Sequence, residues 1–229
     1  MQFEFPENSS YLVFSSEVGD GAMNLSNEKN IDSFVEKIGL SAPLSQAQQI
    51  HGSKIVKAKT GTVASGADGL FSFDKTPLSV RSADCIPILL CDKKSNFSCA
   101  IHSGRRGLLG KIISKSLKKI LQKYKLNPLD IEVFLGPHIR VKNYSISDLD
   151  AKAAEKVGFK KYLYYKNNLK YFDLTSCALG ELEKIGISRD NITDCDIDTF
   201  EDERFFSYRK SGAKQPAVFM TIFARQDAK

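Results

Sequence analysis

No apolar run in this 229-residue chain approaches the roughly 20 residues that a membrane helix needs, which excludes a helical membrane protein. The opening segment, MQFEFPENSSYLVF, has neither a basic leader nor a small-residue cleavage site, so no secretory signal is expected and the cytoplasm is the expected compartment. No internal repeat, low-complexity tract or linker interrupts the chain, and residues 1–229 are expected to form one domain. The five cysteines are an odd number scattered from 85 to 195, which argues against a disulfide framework. There is no Cys–x–x–Cys and no His–Glu–x–x–His, so zinc-finger and zincin signatures are absent. Histidine is scarce as well, with only His51, His102 and His138.

What remains is an ordinary globular composition, 42% hydrophobic and 26% charged, at a length that can bury a substantial core. Strand-like runs recur in YLVFSSE, SKIVKAK, LSVR, IPILLC, FSCAIH, IEVFLG, YLYY, KYFDL and AVFMTIFA. Helical patterns fall at about 30–39, 107–124, 147–158 and 174–186, and Asn167–Asn168 reads as a hairpin turn. The expected fold is α/β (α+β): an αβ sandwich around a mixed sheet. The net charge of +6 has a local origin in GLLGKIISKSLKKILQKYK. There Leu108, Leu109, Ile112, Ile113, Leu117, Ile120 and Leu121 form one helical stripe, and Lys111, Lys115, Lys118, Lys119 and Lys123 the opposite face. Without interleaved aromatics this reads as a solvated surface, and neither nucleic acid nor a membrane is an expected partner.

Each histidine sits beside glycine or proline, in IHGS, IHSG and GPHI, near the end of a strand-like run. Cys85 follows Ser–Ala–Asp at another strand end, whereas Cys91, Cys99, Cys177 and Cys195 read as small hydrophobes. Two chemistries suit Cys85 and His102. In one, His102 deprotonates the thiol and Cys85 is a nucleophile. In the other, Cys85 is a thiolate ligand, and His51 and His102 complete a three-ligand zinc set with a position left for water. Asp84 is the adjacent carboxylate, fit to orient a ligand, relay a proton or cap a turn. The turn HSGRRG, with Arg105 and Arg106 at the start of a helix, is either an anion site or a tight strand-to-helix connection. Tyr208, Arg209 and Lys210 in FFSYRKSG form a second candidate anion clamp.

In this order the motifs resemble the YfiH-like family, also labelled laccase-domain or polyphenol oxidase proteins. The matching stretches are QIHG at 49–52, ADGL at 67–70, SADCIPILLCD at 82–92, HSGRRG at 102–107 and GPHI at 136–139. YFDLTSCALGELEKIGI at 171–187, NI at 191–192 and FFSYRKSG at 205–212 follow, and NLS at 24–26 looks like the family's early asparagine motif. The resemblance implies a Zn²⁺ site formed by His51, Cys85 and His102, in which copper is an alternative occupant. It implies purine nucleoside phosphorylase activity on adenosine, inosine and methylthioadenosine, with adenosine deaminase activity besides. Small-molecule nucleoside and phosphate are then the partners, with Arg106, Arg209 and Asn24 as binding residues and Cys85, His102 and Asp84 as catalytic ones. Older family labels name multicopper laccases, but a four-copper enzyme consumes about ten histidines. A bacterial branch has been tied to peptidoglycan precursor editing, which would suit a metal-free cysteine hydrolase or amidase using Cys85 and His102.

The chain also departs from the family pattern. Ser103 replaces an alanine, Arg105 a tryptophan, and Lys210 the second arginine of a Tyr–Arg–Arg run, which loses bidentate geometry. His138 stands where Cys or Ser is usual, as a spare ligand or a polar replacement, and Lys214–Gln215 replaces a later Gly–Arg. These departures keep a third reading open, a catalytically idle binding module on the same fold.

Overall fold

The computed structural model describes residues 1–5, 10–212 and 217–228; Lys214 and Gln215 lie outside them. Two sheets stack face to face with helices on both outer sides. The six-stranded sheet runs in the order Ile192–Asp194, Ile131–Leu135, Ile86–Asp92, Ser98–Ser103, Gly69–Ser72 and Ile55–Lys57. Its two outer pairings are parallel and the three inner ones antiparallel, so the sheet is mixed as expected. The second sheet orders Gln2–Phe3, Tyr11–Ser15, Phe219–Arg225 and Leu78–Ser82, all antiparallel.

Alternation along the strands explains the layering. Ile86, Ile88 and Leu90 face a core beneath the larger sheet, filled by the helices at 112–123, 148–156 and 174–183. Leu89, Cys91 and Ala100 face the other way and meet Leu78, Val80 and Phe223 of the second sheet. That sheet's remaining face, with Met220 and Ile222, packs under Ile31 and Phe34 of the helix Glu28–Lys37. Helix starts follow side-chain caps: Ser147 accepts from the Asp150 amide at 3.2 Å, and Asp173 from the Ser176 amide at 2.9 Å. The expected hairpin at Asn167–Asn168 is present, with φ of 50° and 60°, the left-handed pair that a tight two-residue turn requires.

One element differs from expectation. The stretch 107–124 is not one helix but a helix Arg105–Leu109, a break, a π-helical Ile112–Leu117 and a helix Lys118–Lys123. The first segment is pressed against one loop, the one that carries His51: a Cβ at Gly107 would come within 3.3 Å of the Gly52 carbonyl, and one at Gly110 within 3.2 Å of Ser53. The chain then reverses through Lys111 at φ 62°, and the Ile–Leu stripe reaches the core as the pattern predicts. Lys111 leaves the solvated face: it lies 3.5 Å over the Phe159 ring and 3.7 Å from buried Glu181.

His138 is a structural residue. Its Nδ1–H donates to the Gly136 carbonyl at 2.7 Å, and its Nε2 accepts from the Thr175 hydroxyl at 2.7 Å. Burial, aided by nearby Arg140, pushes this imidazole down to about 4. The unfolded chain therefore takes up a proton between pH 6.5 and 4 that the folded chain refuses, so stability falls as pH falls through that window. The expected loss is up to about 3 kcal/mol. Urea midpoints measured from pH 7 to 4.5 should drop, and His138→Gln should flatten the slope. Asp68 and Asp194, held below the usual carboxylate range, give way only at lower pH.

Candidate metal centre and its arginine-lined cavity

The two sheets bring three chain segments to one edge. His102 is the penultimate residue of Ser98–Ser103 and pairs across the sheet with Pro87. Cys85 occupies the turn between Leu78–Ser82 and Ile86–Asp92, two residues before that partner. His51 comes from an irregular loop after Gln46–Ala47. Their donor atoms all lie within 4.8 Å of one another, and the two imidazole rings meet edge to face at 4.8 Å between centroids. His102 is buried, Cys85 half-buried and His51 exposed, so the group opens to solvent on one side.

The loop and turn are held by two carboxylates. Asp68, wholly buried at the head of Gly69–Ser72, accepts the amides of Ile50 at 3.3 Å, His51 at 2.8 Å and Gly52 at 2.7 Å. It also accepts His102 Nδ1–H at 3.0 Å. Burial opposes its charge, but the His102 bond and the loop amides prevail and hold the carboxyl below its ordinary value. An ionised acceptor at Nδ1 fixes the proton there and leaves His102 Nε2 as the free donor atom. This residue was not singled out from sequence, although it lies in the ADGL stretch at 67–70 that carries part of the family resemblance.

Asp84 does comparable work for the cysteine. It sits at φ 90°, a strained value for a residue other than glycine. Its Oδ1 accepts from the Thr199 hydroxyl at 2.8 Å, its Oδ2 from the Arg209 amide at 2.7 Å, and its carbonyl from the Ile139 amide at 3.0 Å. Both carboxylate oxygens are engaged in holding the turn, which fits anchoring better than proton relay. Burial alone would raise the Cys85 thiol, but the charge and hydrogen bonds of His102 and then His51 bring it down to about 6. Cys99 and Cys177, buried without such neighbours, are pushed up instead.

A cavity of about 690 Å³ opens over the trio, and Asp84, Asn24, Arg106 and Arg209 line it. Arg106 is exposed and has no side-chain partner among the described residues. Arg209 donates to Ser145 Oγ at 2.9 Å, and its guanidinium lies 5.1 Å from the centre of the Tyr144 ring. Arg105, where the family pattern has tryptophan, also lines the cavity but is paired with Asp150. Tyr144 thus gives Arg209 an aromatic face to lie over, a role invisible in sequence. The helix after Gly104 has only five residues and little dipole, so any anion binding at this turn rests on the arginines.

Two imidazoles, one thiolate and an open side form the donor set of a mononuclear catalytic metal site. Among the described residues, this is the one group of three or more His, Cys, Asp or Glu side chains arranged to hold an ion. The chain belongs to the family described as multi-copper polyphenol oxidoreductase laccase, whose model matches residues 8–223. It is similar to a purine nucleoside phosphorylase of Campylobacter jejuni, with 34% identity over 181 residues, 78% of this chain and 76% of the relative. A purine nucleoside phosphorylase of Clostridium acetobutylicum is 24% identical over 233 residues, 97% and 95% of the two chains. The crystal structure of YlmD from Geobacillus stearothermophilus superposes with a TM-score of 0.84 at 20% identity, covering 96% of this chain and 94% of that one. YfiH of Bacillus licheniformis gives 0.79 at 21% identity, over 86% and 80%. The fold is therefore that of the YfiH and YlmD structures.

Gly104 supplies a test of the geometry. A Cβ there would collide with Cys85 Sγ, although the backbone conformation itself suits any residue. Gly104→Ala should therefore displace the thiolate and weaken metal binding while leaving a folded chain, as read by metal content and circular dichroism. Asp68→Asn should lower metal affinity by about 10–100-fold, measured by competition with a chromophoric chelator.

Proposed function

We propose that the protein is a zinc-dependent purine nucleoside phosphorylase acting on adenosine, inosine or methylthioadenosine. The observation that carries this reading is the His51–Cys85–His102 group at the base of an arginine-lined cavity, in a chain whose relatives are named purine nucleoside phosphorylases. The soft thiolate and two neutral imidazoles suit zinc, and copper can occupy the same donors. When bound, zinc supplies Lewis acidity to a water or to a substrate oxygen.

The chain's own residues carry the rest. In phosphorolysis the phosphate oxygen attacks C1′ as the glycosidic bond breaks, and the purine leaves with the bonding pair. Positive charge accumulates on the ribose in the transition state. Arg106 and Arg209 would hold the phosphate against C1′, so the nucleophile also stabilises that charge. Asp68 keeps His102 in one tautomer, and Asp84 keeps Cys85 in place; neither has to move during turnover. Deamination of adenosine at the same centre is a further activity of this reading.

A second reading has its own observation. Asp68, His102 and Cys85 form an acid–base–thiol relay, and the thiol is brought down to about 6. In that case the metal-free chain is a cysteine hydrolase or amidase.

One experiment separates them. Zinc-loaded protein is incubated with inosine or adenosine, with and without phosphate, and the free base is followed by chromatography. Phosphate-dependent release of hypoxanthine or adenine, abolished together with metal binding in His51→Ala and Cys85→Ala, is the expected result. Protein that carries no zinc as purified, releases no base, and is rapidly alkylated at Cys85 would instead establish the hydrolase reading.

A further inference from the structure

Arg81 is unlike the other arginines of the cavity. Only 8% of it is exposed, yet it lines the cavity over the metal trio. Its guanidinium is tethered to the short strand Gln46–Ala47, with Nη1 donating to Gln46 Oε1 at 3.0 Å and Nη2 to the Ala47 carbonyl at 2.5 Å. Both acceptors are neutral. Burial lowers its pKa to about 10, and no charged neighbour contributes. Arg105, by contrast, is neutralised by Asp150, and Arg209 is tethered to Ser145 on a different sheet.

A buried, uncompensated guanidinium is costly unless a negative group reaches it. The neutral tethers use only two of its five donor hydrogens. Its Nε has no hydrogen-bond partner among the described residues and is not among the sealed, unpartnered atoms there. The backbone behind it is fixed too: Gln49 donates to the Arg81 carbonyl at 2.7 Å and accepts the Arg81 amide at 2.8 Å. Gln49 lies two residues before His51, so the same clamp ties the guanidinium's strand to the loop that carries a trio residue.

We propose that Arg81 anchors a phosphate-dianion subsite in this cavity, separate from Arg106 and Arg209. The ligand class rests on the phosphorolysis reading. The dianion comes from one of two sources, an inorganic phosphate other than the one that Arg106 and Arg209 hold against C1′, or the phosphoryl group of a nucleoside 5′-monophosphate. A planar fork held by neutral acceptors presents its three remaining hydrogens as fixed donors, which a lysine at this position does not reproduce.

The test titrates the metal-loaded full chain by calorimetry with inorganic phosphate, inosine and inosine 5′-monophosphate, in the wild type, Arg81→Gln and Arg81→Lys. Arg81→Gln should weaken either phosphate or the monophosphate by about tenfold or more, with inosine unchanged. The arm that moves identifies the source. Arg81→Lys should fall between the two, and it provides the measurement if Arg81→Gln fails to fold by circular dichroism. The proposal is overturned if the folded variants bind both anions as the wild type does, or if the wild type binds neither. Inosine phosphorolysis measured in parallel keeps the two ideas apart. Turnover with phosphate and monophosphate binding indifferent to Arg81 rejects the subsite alone, whereas Arg81-dependent anion binding without turnover rejects the phosphorylase reading alone.

Discussion

The carboxylate of Asp68 is the interaction on which the site depends. The His51 loop has no ladder of its own, and three consecutive amides, from Ile50 to Gly52, converge on this one side chain. The same carboxylate orients His102, so a single buried anion sets the position of two of the three donor residues. A buried carboxylate is expensive unless its lone pairs are filled, and here four donors fill them. The cost of the charge and the order of the loop are therefore coupled: losing the loop amides would leave an anion stranded under the sheet. That coupling explains how His51 keeps a left-handed backbone without glycine.

Charge is distributed unevenly around the cavity. Behind the trio lie the carboxylates, Asp68 and Asp84, with their oxygens committed to amides and hydroxyls. Facing the open space are guanidinia, and among the described residues only Arg105 of them has a carboxylate partner. Arg81 and Arg209 are steered by neutral groups instead, a carbonyl, an amide oxygen, a hydroxyl and an aromatic face. Neutral tethers fix direction without cancelling charge, so the cavity keeps a positive field for an anionic ligand. Arg105, in the place of a tryptophan, is the exception, because Asp150 neutralises the added charge.

The sequence was legible where structure follows local pattern. Period-2 runs marked the strands at 86–92, 98–103, 131–135 and 219–225, and paired asparagines marked the hairpin. It was less legible where distant segments intrude. The helix expected over 107–124 is broken because Gly107 and Gly110 press against the His51 loop, more than 50 residues away in the chain. The same limit governs the site. Spacing alone left His51, Cys85 and His102 as one option of two, and family likeness carried the grouping that the donor geometry shows. Asp68, quoted within a matching stretch, and Tyr144 and Arg81 were given no role, because each matters only through partners remote in sequence. His138, which shares the glycine–proline setting of the other two histidines, proved to be packing.

The family's description speaks of several coppers, and the donors of this chain bear on it directly. With His138 holding Gly136 and Thr175 through both ring nitrogens, two histidines remain for metal, and both already belong to the trio. A trinuclear cluster has nothing left to bind it, since imidazole is the ligand that copper clusters use. Cys99 and Cys177 offer no substitute, because they lie inside the core with thiols that burial keeps protonated, and burial pushes the Cys195 thiol up as well. What the fold supplies is one ion's worth of ligands, a thiolate lowered by its histidine neighbours, and a cavity whose free charges are guanidinia. Redox chemistry at several metals needs many soft donors, whereas displacement by an anion needs one Lewis-acid position and fixed cations. The side chains assembled at this edge of the sheets meet the second requirement and not the first.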